Sequence, residues 1–210
     1  MNRAGSIQVS SLSTASRIKR RFDAVLTIED PDIRHPLRFH NRPHPDQLVL
    51  KFEDVDTQVP GIALPHAIHV EAALDFAREH ESGSLLVHCK AGIARSSAIA
   101  LAIIADRFGM GKEKDSVAAL LAIRPPAIPN LLVLGLADYI LGRNGRLAEA
   151  WMEVENSDKE YAAVRKLKKE TVERNPSLYS RERDLQSTIA RFRPDSLVAD
   201  QKAGFAVAAQ

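Results

Sequence analysis

The fold is decided by the stretch SLLVHCKAGIARSSAIALAIIA, residues 84–105, in which a short loop joins an apolar strand-like run to an apolar helical run. The strand-like run covers 84–87 and the helical run covers 97–105. The loop between them contains a glycine and the only cysteine of the chain, Cys89. When a helix N-terminus follows such a loop, successive backbone N–H groups and the helix dipole converge on the centre of the loop. The sequence therefore predicts an anion cradle with a thiol at its entrance.

The side chains of residues 88–96, called the cysteine loop below, suit phosphate-ester chemistry. The loop amides, the helix start and Arg95 all favour the thiolate of Cys89, which is the form that attacks. The planar guanidinium of Arg95 can hold two phosphoryl oxygens and stabilise the charge that spreads over them in the transition state. Ser96 can hydrogen-bond the sulfur, which helps it to leave when a phospho-cysteine is hydrolysed. His88 is expected to orient the loop through its ring nitrogens.

The cysteine loop resembles the signature His-Cys-x5-Arg-Ser/Thr of the protein tyrosine phosphatase superfamily. An arbitrary lone cysteine is most often a small buried apolar residue, but here the spacing to Arg95 and both flanking residues match the signature together. The Ala91-Gly92-Ile93 interior is most similar to the dual-specificity branch, of bacterial type. The resemblance implies a mostly parallel sheet between helices and a phosphatase that forms a phospho-cysteine. It implies that the phosphoryl group is bound by Lys90, Ala91, Gly92, Ile93, Ala94 and Arg95.

The resemblance also implies an upstream aspartic acid that protonates the leaving oxygen and then acts as base toward water. Alternating apolar residues over 47–52 predict a strand with one buried face. Asp54 follows this strand directly, as the acid of the family does, and is the preferred candidate. Asp56 lies nearer the usual distance from Cys89, and Glu53 is also available. Acidic groups in a loop commonly serve only its solvation, so the choice stays open at this point.

Strands and helices alternate along the chain, which predicts an α/β domain with a central, mostly parallel sheet. Strands are expected at 7–9, 24–28, 37–40, 47–52 and 84–87. Helices are expected at 11–22, 65–80, 95–108, 112–123 and 130–141. An arginine and a Pro-Asn pair before the last of these helices recur in the family, and we interpret Arg124 and Asn130 as structural.

The composition of the sequence changes after residue 152, where charged residues begin to dominate. We predict a catalytic domain over residues 1–152 and a charged, partly flexible helical C-terminal extension over 153–210. The first helix of the extension has only a thin apolar stripe, which is typical of a helix that is exposed or docked by one edge. A second helix is expected at 181–191 and a frayed end at 203–210. A regulatory or dimerising arm and an inert extension are both compatible with this composition.

Composition limits the classes of partner. The net charge of +2 gives no case for nucleic acid, and the longest apolar run, 98–105, is too short to span a membrane. A single cysteine cannot form an internal disulfide, so a reducing cytoplasm is the expected location. No metal or other cofactor is expected, because arginine and the loop amides supply the positive field. His66 and His69 lie three apart on a helix, but no third ligand joins them at a recognised spacing.

These observations predict a cysteine-dependent phosphatase acting on phosphomonoesters, with phosphotyrosine and also phosphoserine or phosphothreonine in proteins as the expected substrates. One alternative is a pseudo-phosphatase that binds phosphorylated partners without turnover, and another is a rhodanese-like sulfurtransferase. A phosphoinositide phosphatase is a third alternative, because Lys90 adds positive charge beside the nucleophile. Such enzymes often carry a second lysine in the loop, where this chain has Ile93. Substrate identity and oligomeric state stay open.

Overall fold

The computed structural model describes residues 5–32 and 43–192, which form a five-stranded sheet covered by helices. The strands are β1 (Ile7–Ser11), β2 (Ala24–Glu29), β3 (Gln47–Lys51), β4 (Leu85–Cys89) and β5 (Ile189–Phe192). The helices are α1 (Leu12–Ile18), α2 (Ala67–Glu79), α3 (Arg95–Phe108), α4 (Glu113–Ile123), α5 (Leu131–Ile140), α6 (Arg146–Ser157) and α7 (Lys159–Arg174). None of the helices in these ranges combines the length and the apolar composition that a bilayer crossing requires.

The strand that carries Cys89 lies inside the sheet. The strand order is β1-β4-β2-β3-β5, with the first four strands parallel and β5 antiparallel to β3. Every residue of β2 and of β4 is buried, as expected for parallel strands with helices on both faces. Because parallel strands share a direction, the carboxyl ends of β2, β3 and β4 meet at one edge of the sheet, where ligands bind in open α/β folds. This edge carries the cysteine loop.

Helices cover the two faces of the sheet unequally. Alternate residues of β2 and β4 face a large core beneath α2, α3 and α5, whereas Val25 and Leu86 face a smaller cluster with Ala15 and Phe22. Eleven consecutive residues of α3, from Arg95 onward, are buried. Each large apolar side chain among them contributes about 1.5–3 kcal/mol by leaving water. The cysteine loop therefore connects two elements that are both held in the core.

Most predicted elements are confirmed to within a few residues. The helix at 95–108 has the predicted bounds, and the first predicted helix divides into α1 and a 3-10 turn at Lys19–Arg21. Ser11 caps α1, with its side chain accepting a hydrogen bond from the Thr14 N–H. The mostly parallel sheet and the helical extension, represented by α7, also agree with prediction. The expected strand at 37–40 and the expected frayed end at 203–210 lie outside the described residues.

The prediction of a helix at 181–191 is wrong. A 3-10 turn at Leu185–Thr188 leads into β5, which pairs with β3 from Gln47 to Leu50. The local sequence contains good helix formers, but an uncovered β3 would present a row of unpaired backbone groups at the sheet edge. Pairing with β5 satisfies those groups, and local propensity is overridden. The predicted boundary at 152/153 stays a prediction; α6 runs across it without a break.

Candidate active site

The carbonyl groups of residues 90–94 in the cysteine loop accept hydrogen bonds from neighbouring elements. Because the C=O and N–H of a trans peptide point in opposite directions, the N–H groups of residues 91–95 face the inside of the loop. One of these groups, the Gly92 N–H, donates a hydrogen bond to Sγ of Cys89 at 3.2 Å. The carbonyl contacts are Lys90 with the Leu12 N–H at 3.1 Å, Ala91 and Gly92 with the Arg124 guanidinium at 3.1 and 2.7 Å, Ile93 with the Ile128 N–H at 2.9 Å, and Ala94 with the Asn130 N–H at 3.2 Å.

The structure brings three of the predicted site residues together at the end of β4. Cys89 is buried, and its Sγ lies 3.2 Å from Oγ of Ser96 in the first turn of α3. Ser96 is fully buried, so its contact with the sulfur is shielded from water. The sulfur also accepts the Gly92 N–H, and Ser96 places it next to the N-terminal turn of α3. Negative charge on the sulfur would thus be stabilised by donors that need no rearrangement.

One nitrogen of the Arg95 guanidinium, Nη1, makes two hydrogen bonds, whereas a second nitrogen, Nε, makes none among the described residues. Its Nη1 donates to Oδ1 of Asp30 at 2.6 Å and to the carbonyl of Phe52 at 2.8 Å. Its Nε is buried and has no hydrogen-bond acceptor among the described residues. Burial lowers the pKa of Arg95, but the negative charges of Asp54, Asp30 and Cys89 outweigh burial and raise it. The guanidinium is therefore a fixed cation with a buried donor still to satisfy.

Asp30 is a site residue that sequence reasoning missed. It follows β2, which pairs with β4, so its carboxylate lies at the same sheet edge as the cysteine loop. The signal that could have found it is the sheet order, because acidic residues at the carboxyl ends of adjacent parallel strands come close together. The sequence alone does not state which strands are adjacent.

The two candidate acids of the 53–56 segment, called the acid loop below, have different surroundings. Oδ1 of Asp54 accepts hydrogen bonds from Nδ2 of Asn130 at 3.0 Å and from Nζ of Lys168 at 2.6 Å. Asp56 accepts the Leu131 N–H at the start of α5 at 3.0 Å, and its side chain is only 11% exposed. The Asp54 side chain is 32% exposed. Asp54 thus faces the cavity more openly, whereas Asp56 is tied to the end of a helix.

The pKa of Asp54 is lowered by its cationic neighbours. Burial alone raises the pKa of this carboxyl, but Lys168 and Arg95, together with the hydrogen bonds from Lys168 and Asn130, outweigh burial. The net direction is downward, so the carboxylate form is favoured.

A cavity of about 500 Å³ joins these groups, and α7 forms one of its walls. The α7 residues Arg165 and Lys168 are ion-paired with the acid loop, at 3.0 Å to Asp56 and 2.6 Å to Asp54. Sequence reasoning assigned this segment to an extension and did not predict its place at the site. The residues that line the cavity are Asp30, Asp54, Asp56, Cys89, Lys90, Ala91, Ile93, Ala94, Arg95, Ile128, Val164, Arg165, Leu167, Lys168, Thr171 and Tyr179.

His88 is placed under the loop and away from the cavity. Its Nε2 lies 2.9 Å from Oγ1 of Thr27, which also accepts a hydrogen bond from Gln47 at 2.7 Å. Burial lowers the pKa of His88 to about 4, so the ring is neutral at physiological pH. The ring thus connects β4 to β2 and is unsuited to exchange protons with a substrate.

Arg124 and Asn130, interpreted from sequence as structural, both contact the site. Arg124 donates to the carbonyls of Ala91 and Gly92. Asn130 caps α5 through Oδ1, which accepts the Val133 N–H, while its Nδ2 reaches Asp54 and the carbonyl of Val55. One side chain thus couples the start of α5 to the acid loop. Within residues 5–32 and 43–192, no group of three or more His, Cys, Asp or Glu side chains is arranged to hold a metal ion.

Comparison with known proteins finds similarity in structure only. No protein-family model and no curated protein matches the sequence. Among solved structures, PTPMT1 in complex with PI(5)P is 16% identical, with 71% of this chain and 97% of that chain covered and a TM-score of 0.47. Tk-PTP in the active form is 16% identical, with 66% and 93% covered and a TM-score of 0.49. The human tyrosine phosphatase-like serine/threonine/tyrosine-interacting protein is 18% identical, with 66% and 93% covered and a TM-score of 0.49. These neighbours are protein tyrosine and dual-specificity phosphatases or phosphatase-like proteins, and it is to their fold that this chain is similar.

Proposed function

We propose that this protein is a cysteine-dependent phosphatase that hydrolyses phosphomonoesters. The observation that carries the proposal is the juxtaposition of a sulfur nucleophile, inward-facing amides and a buried guanidinium donor without an acceptor, all at one cavity. A tetrahedral phosphoryl group offers oxygens to the amides and to Nε of Arg95 while its phosphorus faces Cys89. Donors fixed in advance stabilise the charge on the transferring group without reorganisation.

The first chemical step transfers the phosphoryl group to sulfur. The Cys89 thiolate attacks phosphorus, an S–P bond forms and the bond from phosphorus to the leaving oxygen breaks. The carboxyl group of Asp54 gives its proton to that oxygen, so an alcohol or a phenol departs. Arg95 and the loop amides hold the three other oxygens throughout. Arg95 is kept in place for this task by Asp30.

The second step releases inorganic phosphate. The Asp54 carboxylate, left after the first step, takes a proton from a water molecule that attacks phosphorus. The S–P bond breaks and the electron pair returns to Cys89, where the Ser96 hydroxyl can donate to the departing thiolate across the observed 3.2 Å. The same aspartate thus serves as acid and then as base.

Asp54 is preferred to Asp56 as the acid because of what each carboxylate already binds. Asp56 accepts the helix-terminal Leu131 N–H and pairs with Arg165, which suits it to stabilising the start of α5. Asp54 has the larger exposed fraction and interacts electrostatically with Arg95, beside the position proposed for the phosphoryl group. Both carboxylates line the cavity.

The apolar residues that line the cavity favour aryl phosphates, and hence phosphotyrosine in proteins, as the preferred substrates. An aromatic leaving group gains more than a small polar one from contact with apolar side chains. Phosphoserine and phosphothreonine are secondary candidates, and a phosphoinositide is the alternative that Lys90 suggests. The large apolar or aromatic residues that line the cavity are Ile93, Ile128, Val164, Leu167 and Tyr179.

Hydrolysis of a generic aryl phosphate tests the proposal. Cys89→Ser should abolish turnover, and Asp54→Asn should lower kcat by about 100-fold or more, with the larger loss for poor leaving groups. Asp56→Asn is the matched control and should cost less. Undiminished turnover by Cys89→Ser would overturn the proposal, and a larger loss in Asp56→Asn would move the acid to Asp56. A panel of phosphotyrosine, phosphoserine and phosphoinositide substrates then ranks the classes.

A phosphate-binding pseudo-phosphatase is a second candidate, favoured by the ion pair that holds Asp54 as a carboxylate. Such a protein would bind a phosphopeptide through Arg95 and the loop amides but would turn over little. Calorimetric binding of a phosphotyrosine peptide, with no phosphate released over hours, would favour this candidate over the enzyme. A reducing cytoplasm remains the predicted location.

A further inference from the structure

We propose that Lys168 of α7 is a positioning residue for the reaction, holding Asp54 at the cavity and setting the pH range over which this carboxyl can give up a proton. The inference rests on the proposed phosphatase function and assigns a task to the segment after residue 152. Lys168 is not part of the cysteine loop or of the acid loop, and sequence reasoning did not predict it.

The geometry places one ammonium group between the two candidate acids. Nζ of Lys168 lies 2.6 Å from Oδ1 of Asp54 and 2.9 Å from Oδ2 of Asp56. The Lys168 side chain is 19% exposed, so these contacts are only partly screened by water. A single cation thus links two carboxylates that would otherwise repel each other, and it limits where the Asp54 side chain can point.

α7 is anchored on the same face that presents Lys168. Arg165, one turn earlier, binds Glu155 of α6 and the carbonyl of Pro129, and it pairs with Asp56. Val172, one turn later, is buried in a cluster with Val55 and Ile62. Residues at this spacing share one side of a helix. Lys168 therefore projects from a helix that is fixed on both sides of it.

Lys168 dominates the electrostatics that favour the charged form of Asp54. Burial raises the pKa of Asp54, and among the causes that lower it Lys168 comes first and Arg95 second. Removing the ammonium group leaves burial opposed mainly by Arg95, so the pKa of Asp54 should rise. Among the described residues, the charged or titratable groups around Asp54 are Arg95 from α3, Lys168 and Arg165 from α7, Tyr179 after α7, Asp30 after β2, Cys89 and Lys90 at the end of β4, and Glu53 and Asp56 of the acid loop.

The two steps of the reaction need opposite forms of Asp54. Protonating the leaving oxygen requires the acid, and activating water requires the carboxylate. Lys168 favours the carboxylate, which is the form that the second step needs. It also lowers the pH above which Asp54 no longer carries the proton that the first step needs. In a profile of kcat against pH, the basic limb reports the loss of the proton that the acid must carry in the enzyme–substrate complex. That limb is where a change at Lys168 should be seen.

The test compares pH profiles of kcat for an aryl phosphate among the unaltered protein, Lys168→Met, Lys168→Arg and Lys166→Met. Lys166 lies on the same helix with its side chain 79% exposed and is the matched control. We expect Lys168→Met to move the basic limb to higher pH by about one unit. Lys168→Arg and Lys166→Met should leave the limb in place. A uniform loss of kcat at every pH with an unmoved limb would mean a structural role and would overturn the inference.

Titration of the Asp54 carboxyl by NMR keeps the inference separable from the proposed function. In Lys168→Met the midpoint of this titration should rise, and it should stay unchanged in Lys166→Met. If the unaltered protein releases no phosphate, the proposed function fails and the role of Lys168 in a reaction fails with it, whatever the titration gives. If turnover is present but neither the limb nor the midpoint moves, the role of Lys168 alone is overturned. Circular dichroism of each variant excludes misfolding as the cause of a shift.

Discussion

Gly92 packs directly against the backbone of Ser10, at the end of β1. A Cβ at position 92 would lie 2.4 Å from the carbonyl carbon and 2.5 Å from the carbonyl oxygen of Ser10, and the backbone φ of Gly92 is +72°. The close contact excludes any residue with a side chain from the middle of the cysteine loop in this conformation, and the positive φ adds backbone strain. The close contact sets the loop against β1, whose last residue is in register with Cys89.

Gly92→Ala should therefore displace the cysteine loop. Because the contacted atoms belong to the Ser10–Ser11 peptide, which cannot rotate away, the loop itself must shift, and a misplacement of this kind costs about 100-fold in kcat/KM. The control is Gly109→Ala, which has a similar φ of +82° but no atom within 4 Å of the added Cβ. Because its φ of +82° and ψ of −176° lie in a region that is nearly restricted to glycine, that control should lose about 1–3 kcal/mol of stability, and it should keep its activity. Equal activity losses in the two variants would contradict the role assigned to the close packing.

Arg124→Lys should weaken the binding of phosphate. The guanidinium reaches two successive carbonyls, Ala91 at 3.1 Å and Gly92 at 2.7 Å, and lysine has no planar fork to reproduce both contacts. Without these two hydrogen bonds, the peptide groups that follow Ala91 and Gly92 would no longer be held with their N–H groups facing the inside of the loop. We expect the inhibition constant of inorganic phosphate and KM to rise by about 10-fold, a loss of about 1.4 kcal/mol. Arg146→Lys, at a side chain that is 48% exposed, is the control.

Arg165→Met should destabilise the fold and loosen α7. Its Nε and Nη2 bind the buried Glu155, which also accepts a hydrogen bond from Nε1 of Trp151 at 2.7 Å. Removing the cation leaves that carboxylate buried without its partner, a change that costs about 3–5 kcal/mol. Urea unfolding measures the loss. The double variant with Glu155→Gln should be less destabilised than the sum of the single changes, and strict additivity would show that the two side chains are not coupled.

Stability should fall on acidification because His69 is buried in its neutral form. Its Nδ1 accepts the His66 N–H at 3.0 Å and its Nε2 contacts Thr188, so protonation disrupts these contacts. Burial lowers the pKa of His69 from 6.5 to about 4. Between these two values the unfolded chain binds the extra proton, so stability is full above about pH 6.5 and decreases as pH falls toward 4, by on the order of 3 kcal/mol. The free energy of unfolding of His69→Gln should be lower at neutral pH but should depend less on pH. A slope equal to that of the unaltered protein would contradict this.

The elements predicted most accurately are those with a strong local signal. The helix at 95–108 is apolar on nearly every side and follows a tight loop, and the structure has it with the predicted bounds. The contacts of Cys89 with Ser96 and Gly92 span at most seven residues, so spacing alone implies that they meet. The choice between Asp54 and Asp56 stayed open in sequence because both follow the same strand. It depends on α5 and α7, which bind the two carboxylates differently.

Contacts between distant parts of the chain were not predicted. Asp30 meets Arg95 across 65 residues of sequence, and Lys168 meets Asp54 across 114. Nothing in the composition of α7, a charged helix with a thin apolar stripe, indicates which way it docks. Leu167 and Val164 of that stripe are 66% and 45% exposed and line the cavity. The sequence of the helix alone would predict that these apolar side chains are buried.

What the sequence determined by itself is the strand, loop and helix around Cys89, because a glycine, an apolar strand and an apolar helix dictate that geometry over a few residues. The order of the strands, the partner of β3 and the side of the site that α7 occupies were decided by tertiary structure. Each of these depends on burying surface and pairing backbone groups between segments far apart in the chain, and many sequences with the same local pattern could satisfy those demands differently. The loop geometry around Cys89 is thus a local property of the sequence, whereas the contacts of Asp54 with Asn130 and Lys168 are products of the assembled fold.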